Sequence, residues 1–181
     1  MHILIKMKLI LLSIFIFLLN ISNAQNRALD SLFHLKSNAK SDTTRIDLLL
    51  RIAKEFHKLK KDTSYYFANE GLRLAEKNND KKRISESYEY IVALYNSNKR
   101  FIDSYNVINK FEKFSQVQKD TFLFLSVLQC KIILYKKLDQ LDKVAKIEQQ
   151  RIKIFHAEKD AANEAISYYV TGWALFNTKE Y

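Results

Sequence analysis

The chain has 181 residues, no proline, only two glycines and a formal net charge of +10 at pH 7. Sheet proteins need turn residues at every hairpin and nucleotide-binding α/β folds need glycine-rich turns, so the composition argues against both classes. A hydrophobic share of 48% is sufficient for a packed core and argues against wholesale disorder. The basic residues are scattered over the whole chain, so we interpret them as a solvated surface and expect no nucleic-acid partner.

Residues 1–24 have the layout of a secretory signal peptide. Lys6 and Lys8 form a basic start, residues 9–19 are an apolar run broken by a single serine, and Ala24 supplies the small side chain that the peptidase requires. We therefore predict cleavage near Ala24 and export, to the periplasm or to the medium. A leader retained as a membrane anchor is the alternative, although the run is shorter than the about 20 residues that span a bilayer.

Apolar side chains spaced for one helical face follow the leader at Leu29, Leu32, Phe33 and Leu35. They predict a capping helix within residues 25–43. A cap is needed because the terminal unit of a repeat stack has one apolar side without a neighbouring unit.

The rest of the chain, 44–181, repeats with a period of about 40 residues. Positions one period apart keep their character, and one column is large and apolar or aromatic at Leu48, Tyr88, Leu128 and Tyr168. The repeat units are 44–83, 84–123, 124–163 and a partial unit, 164–181. Apolar spacing within the units predicts paired amphipathic helices over 44–58, 63–78, 84–97, 101–116, 121–137, 140–157 and 161–177.

Aspartates lie near the start of each predicted second helix, at Asp62, Asp103 and Asp142. A carboxylate at this place accepts from the exposed N–H groups of the first turn and interacts favourably with the helix dipole. The aspartates therefore support the predicted helix starts.

The last predicted helix, 161–177, has no second helix to complete its pair. Tyr181 falls in the column that opens the second helices at Phe101 and Leu141, and Trp173 lacks part of its cover. We therefore expect either that the chain is a fragment of a longer protein or that another molecule completes the stack.

The repeats resemble the tetratricopeptide family. The segment from Thr171 to Tyr181 is similar to the end of that family's first helix, with its glycine, aromatic position, polar turn and tyrosine, and the segment from Ala68 to Lys77 is similar to its second helix. The units are longer than the family's usual 34 residues and lack its closing proline. The resemblance implies a right-handed α-solenoid of antiparallel helix pairs, like the exported repeat regions of Bacteroidetes-type sensor histidine kinases and membrane-tethered regulators.

The sequence contains none of the motifs that indicate catalysis, a cofactor or a metal site. The histidines outside the leader lie in different units, and the single cysteine, Cys130, has no companion ligand. Carboxylates such as Glu89 and Glu148 are interpreted as solvated salt-bridge partners on helical faces. We therefore expect no enzyme and no cofactor, and a kinase domain, if one exists, would lie beyond Tyr181.

The first helices of a tetratricopeptide stack line its inner face, which implies a candidate peptide groove formed by Glu89, Asn96, Gln129, Lys136, Tyr169, Trp173 and Asn177. This mixture of charged, amide and aromatic groups suits a protein or peptide partner. The alternative is that positions along these helices only pack helix against helix.

The sequence therefore predicts an exported scaffold for protein or peptide binding, serving as the sensory part of a longer signalling protein. The alternatives are the N-terminal fragment of a sensor histidine kinase and a free-standing periplasmic binding protein. Association of two copies through the open C-terminal end is a further alternative. Membrane contact is expected only through the leader or through a missing C-terminal part, which would anchor the full-length protein.

Overall fold

The computed structural model describes residues 27–59 and 62–178, in which every regular element is a helix. The helices are α1 (27–37), α2 (Asp42–Lys58), α3 (Thr63–Lys77), α4 (Lys81–Ser97), α5 (Phe101–Gln118), α6 (Thr121–Lys137), α7 (Leu141–Glu158) and α8 (Ala161–Asn177). The all-α prediction is confirmed, and the predicted helix bounds differ from these by three residues or fewer. The predicted signal peptide and Tyr181 lie outside the described residues. Within the described ranges no helix combines the length and the apolar character needed to span a bilayer.

The first helices of the units begin at side-chain caps spaced by the repeat period. The Asp80 side chain accepts from Arg83 N at 3.1 Å at the start of α4. In the same way, Asp120 accepts from Leu123 N at the start of α6, and Asp160 accepts from Asn163 N at the start of α8. Two of the three aspartates singled out in the sequence, Asp103 and Asp142, lie in the first turns of α5 and α7 as predicted but do not cap a backbone N–H. The side-chain caps therefore begin α4, α6 and α8, the first helices of their pairs, and not the second helices α5 and α7.

Among the described residues, the turns that follow α3, α4, α5, α6 and α7 pass through the left-handed region without using glycine. The residues with positive φ are Asn79, Lys99, Lys119, Asp139 and Lys159, with φ between 50° and 59°. The following N–H often reaches back to the helix, as in Arg100 N to Tyr95 O at 2.9 Å and Asp160 N to Phe155 O at 2.9 Å. This is the Schellman pattern, and it explains how so many turns form in a chain with two glycines.

The chain divides into two compact units, and the division falls within α3 after Gly71. In the first unit, Phe33 of α1 packs edge-on against Phe56 and Phe67, whose rings stack with centroids 5.4 Å apart. Ile46 and Ile52 of α2 are fully buried. The helix predicted as a cap is thus joined to α2 and α3 by an aromatic cluster.

The second unit contains α4 to α8, and consecutive helices in it pack against one another. In addition, α4 contacts α6, the helix one repeat further along. Tyr88 of α4 stacks on Phe111 of α5 with ring centroids 4.1 Å apart. A second core joins the last three helices, and its buried members are Leu128, Ile132, Leu141, Val144, Ala145, Ile147 and Ala174.

Candidate functional site

A pocket of about 350 Å³ opens between α4, α6, α7 and the start of α8, and we call it the polar pocket. It is lined by Glu89, Phe122, Leu125, Ser126, Gln129, Arg151, Phe155, Glu158, Asp160 and Asn163. Two of the predicted groove residues, Glu89 and Gln129, therefore lie in one cavity. They come from equivalent positions of α4 and α6, one repeat apart.

Arg151 of α7 is held in the polar pocket by three contacts. Its Nη1 donates to Gln129 Oε1 at 3.1 Å and to Glu148 Oε1 at 3.0 Å. Its guanidinium carbon lies 5.3 Å from the centroid of the Phe155 ring. Because the Arg151 side chain is only 16% exposed, these contacts fix the guanidinium group in place.

Glu148 is buried, with 1% exposure, so its interpretation as a solvated carboxylate was wrong. Removing a carboxylate from water is costly unless a cation pairs with it, and Arg151 supplies that cation. Within the described residues, Glu148 Oε2 and Arg151 Nε have no hydrogen-bond partner. One acceptor atom and one donor atom of the ion pair therefore make no hydrogen bond to the described residues.

A comparison of residues one repeat period apart would have revealed this pair. Glu148 and Arg151 lie one period after Ile108 and Phe111, which are 1% and 0% exposed in the core of the preceding repeat. A column that changes from apolar to charged signals either a switch to the surface or a buried ion pair. The sequence analysis examined other columns and therefore missed Arg151.

Glu89 faces the polar pocket from α4. Burial raises the pKa of Glu89, and the nearby charge of Glu86 raises it further, whereas the Ser85 hydroxyl and Arg151 oppose the shift. Ser85 Oγ lies 3.2 Å from Glu89 Oε1 and 2.7 Å from Ser126 Oγ, so hydroxyl groups link α4 to α6 beneath the pocket.

The lining of the polar pocket is acidic, although the chain as a whole is basic. It contains the carboxylates of Glu89, Glu158 and Asp160 and one cation, Arg151. The single positive charge of Arg151 is paired with Glu148 and also acts on Glu89, so it balances only part of the negative charge around the pocket. The phenyl rings of Phe122 and Phe155 provide apolar walls, so the pocket suits a group with a cationic end and an apolar stem.

The remaining predicted groove residues lie elsewhere. Lys136, Trp173 and Asn177 line a separate depression with Asp139, Leu141, Asp142 and Thr178, and Lys136 Nζ lies 5.2 Å from the centroid of the Trp173 ring. Tyr169 is 74% exposed on α8. Asn96 is 3% exposed, so its amide is not accessible to a ligand. The structure thus divides the predicted groove among a pocket, a depression, an exposed ring and a buried amide.

No family model matches this chain, and no match was found among curated proteins or solved structures. Among the described residues no group of histidine, cysteine, aspartate and glutamate side chains could hold a metal ion.

Proposed function

We propose that this chain is a non-catalytic, tetratricopeptide-like scaffold that binds a protein or peptide segment, and that the polar pocket receives a basic side chain of that segment. The observation that carries the proposal is the acidic, half-apolar lining of the pocket. The contacts of α6 with α4, α5 and α7 support the arrangement as stacked helix pairs of an α-solenoid.

A lysine or arginine side chain matches the chemistry of the polar pocket. Its methylene stem would lie against Phe122 and Phe155, and its charged end would reach the carboxylate of Glu89. Arg151 would not repel the ligand strongly, because Glu148 already balances its charge at 3.0 Å. Gln129, whose Oε1 accepts from Arg151, would place its remaining amide protons toward a backbone carbonyl of the ligand.

Export and a place in a signalling protein belong to the same proposal. They rest on the leader-like residues 1–24 and on the tetratricopeptide resemblance. A sensory region and a free-standing periplasmic binder would use the pocket in the same way, because both need only that a basic segment be recognised.

Peptide binding to the purified protein tests this proposal. The probes are short, capped peptides that are identical except for one central residue, which is lysine, arginine, glutamine or glutamate. We expect the lysine and arginine peptides to bind at least about tenfold more tightly than the glutamine peptide, which corresponds to about 1.4 kcal/mol. Glu89→Gln should remove this preference.

Asp142→Asn is the matched control, because Asp142 is an exposed carboxylate that does not line the pocket. It should retain the preference for basic peptides. Binding should also weaken as the pH falls through the raised pKa of Glu89, since protonation removes the charge that the ligand meets. Equal affinity for lysine and glutamine peptides would show that the pocket does not select a cation.

A further inference from the structure

The outer half of α8 carries no charge. Between Ala161 and Asn177 the one charged residue is Glu164, which lies 3.2 Å from His156 Nδ1 and is 20% exposed. The large apolar side chains exposed on this helix, between 42% and 89%, are Ile166, Tyr168, Tyr169, Trp173, Leu175 and Phe176. A helix at the surface of a soluble domain normally turns polar groups to water, so this half of α8 has the composition of a covered face.

Comparison with the equivalent helices shows which side of α8 is uncovered. In the column of Tyr88 and Leu128, which are 0% and 2% exposed, Tyr168 is 58% exposed. In contrast, Leu94, Leu134 and Ala174 share a column and are all buried. The inner side of α8 is therefore packed as in α4 and α6, and only the outer side lacks a partner.

Gly172 lies in the middle of this uncovered side. A Cβ atom added to it would meet no atom of the described chain within 4 Å. Glycine weakens a helix interior, but it allows another group to approach the backbone closely. The backbone at Gly172 is therefore open to close approach by a side chain of another element.

Small and large residues alternate on the outer face of α8 in a self-complementary order. Ala165, Tyr169, Gly172 and Phe176 are spaced by four, three and four residues and so share one helical face. If two such helices pair antiparallel about an axis between Val170 and Thr171, Ala165 lies opposite Phe176 and Tyr169 lies opposite Gly172. Each ring then meets a small residue, which is the arrangement that close helix packing requires.

The exposed apolar area sets the upper limit for what one copy can bury in such a contact. Four aromatic rings and two aliphatic side chains at these exposures present roughly 800 Å² to water, taking about 150–250 Å² for a whole aromatic side chain. One partner contributes about 800 Å² to an interface of standard size. The absence of charge on the outer half of α8 also means that two copies of this face do not repel each other.

We propose that two copies of this chain associate through α8, antiparallel and about a two-fold axis between Val170 and Thr171. An isologous contact of this kind closes on itself and gives dimers rather than filaments. It uses the outer side of α8, and the polar pocket plays no part in it, so either conclusion can fail alone.

Sedimentation equilibrium on the purified protein, with its N terminus read by mass spectrometry, tests the dimer. We expect a monomer–dimer equilibrium with a dissociation constant in the micromolar range, which is typical of a modest interface of about this area. Phe176→Glu should weaken dimerisation at least about a hundredfold, because it buries an unpaired charge at the contact. Ile102→Glu, at a site that is 79% exposed on α5, is the matched control and should leave the constant unchanged.

An exchange of residues tests the register. Ala165→Phe places two rings opposite each other and Phe176→Ala leaves a gap, so each change alone should weaken the dimer at least about tenfold. Together they restore a ring opposite a small residue, and the double variant should recover to within about threefold of the original constant. Both positions are exposed in one copy, so circular dichroism should show unchanged helix content in every variant.

Three results would overturn the proposal. A protein that stays monomeric at about a hundred times the expected micromolar constant would show that a second copy does not cover the face. Species larger than dimers would rule out the two-fold contact. A double variant no better than the weaker single variant would rule out the proposed register.

Discussion

Lys81 Nζ donates a hydrogen bond to Asp120 Oδ2 and thereby joins the first residue of α4 to the cap of α6. Asp120 also accepts from Leu123 N at 2.9 Å. The Lys81 hydrogen bond, followed by the Leu123 N–H, lowers the pKa of Asp120. One carboxylate thus begins a helix and ties it to the equivalent helix of the preceding repeat.

Replacing Asp120 should therefore reduce stability more than replacing an uncapped aspartate. Asp120→Ala removes the cap and the contact to Lys81, and we expect a loss of about 1–2 kcal/mol in the free energy of unfolding by urea. Asp142→Ala is the control, because Asp142 lies in a first turn without capping it, and we expect it to cost about 0.5 kcal/mol or less. Equal losses would contradict the assignment of the cap.

The contribution of Asp120 should depend on pH. Its pKa is lower in the folded chain than the usual value of about 3.9, so ionisation favours the folded state. This stabilisation is present above the unfolded pKa and is lost as the pH falls through the lowered folded pKa. The difference in stability between the unmodified chain and Asp120→Asn, measured in urea from pH 7 to pH 2, should shrink at the acid end.

Lys119→Gly should stabilise the protein. Lys119 has φ = 50°, a conformation that is strained for any residue with a Cβ atom and free of strain for glycine. We expect a gain of about 0.5–1 kcal/mol in urea unfolding, after allowing for the greater freedom of glycine in the unfolded chain. Lys113→Gly, at an exposed site inside α5, is the control and should lose about 1 kcal/mol. A loss at Lys119 would contradict the left-handed turn.

The buried ion pair should be destabilising when broken and dispensable when replaced. Arg151→Met leaves the Glu148 carboxylate buried without a cation, and we expect a loss of about 3–5 kcal/mol. Lys146→Met, which removes the cation of the exposed pair with Asp142, should cost at most about 1 kcal/mol.

The double variant Glu148→Ile, Arg151→Phe introduces the residues that fill the same columns of the preceding repeat. We expect its stability to lie within about 1 kcal/mol of the original, because well-packed apolar residues can replace a buried ion pair. Urea unfolding of the single and double variants measures both effects. A double variant as unstable as Arg151→Met would show that the two repeats do not share this packing.

Cys130 should be unreactive in the folded protein. Burial raises the pKa of its thiol, and the charge of Glu89 adds to the shift. Because the thiolate is the reactive form and Cys130 is fully buried, a colorimetric disulfide reagent should react at least about a hundredfold more slowly than with the chain unfolded in urea. Equal rates in the folded and the unfolded protein would show that the helices covering Cys130 separate readily.

The helices could be predicted from the sequence because their apolar spacing repeats with a constant period. The start of α4 was predicted three residues late, because its apolar spacing begins at Ile84 whereas its capping side chain is that of Asp80. A cap is defined by one side chain and one backbone N–H, and a periodicity averaged over a whole helix does not locate it.

The site was harder to predict because burial depends on neighbouring helices. Asn96, Lys136 and Phe176 share one column, yet Asn96 is buried, Lys136 is exposed and Phe176 is 89% exposed. The position of a residue within the repeat determines the direction of its side chain on its own helix. The residues that bury that side chain belong to other helices. The polar pocket depends on such coverage, since α4, α6, α7 and α8 all contribute to its lining.

The five left-handed residues, from Asn79 to Lys159, follow one another at intervals of twenty residues. The same turn geometry therefore joins the two helices of a pair and joins one pair to the next, so the backbone alone does not mark where a pair begins. That distinction lies in the side chains, which alternate between two kinds of helix. Between α3 and α8, loss or duplication of a single helix with its turn would keep this turn geometry but place each later helix in the role of the other kind. Adding or removing a whole pair, by contrast, would keep both the turns and the role of every later helix.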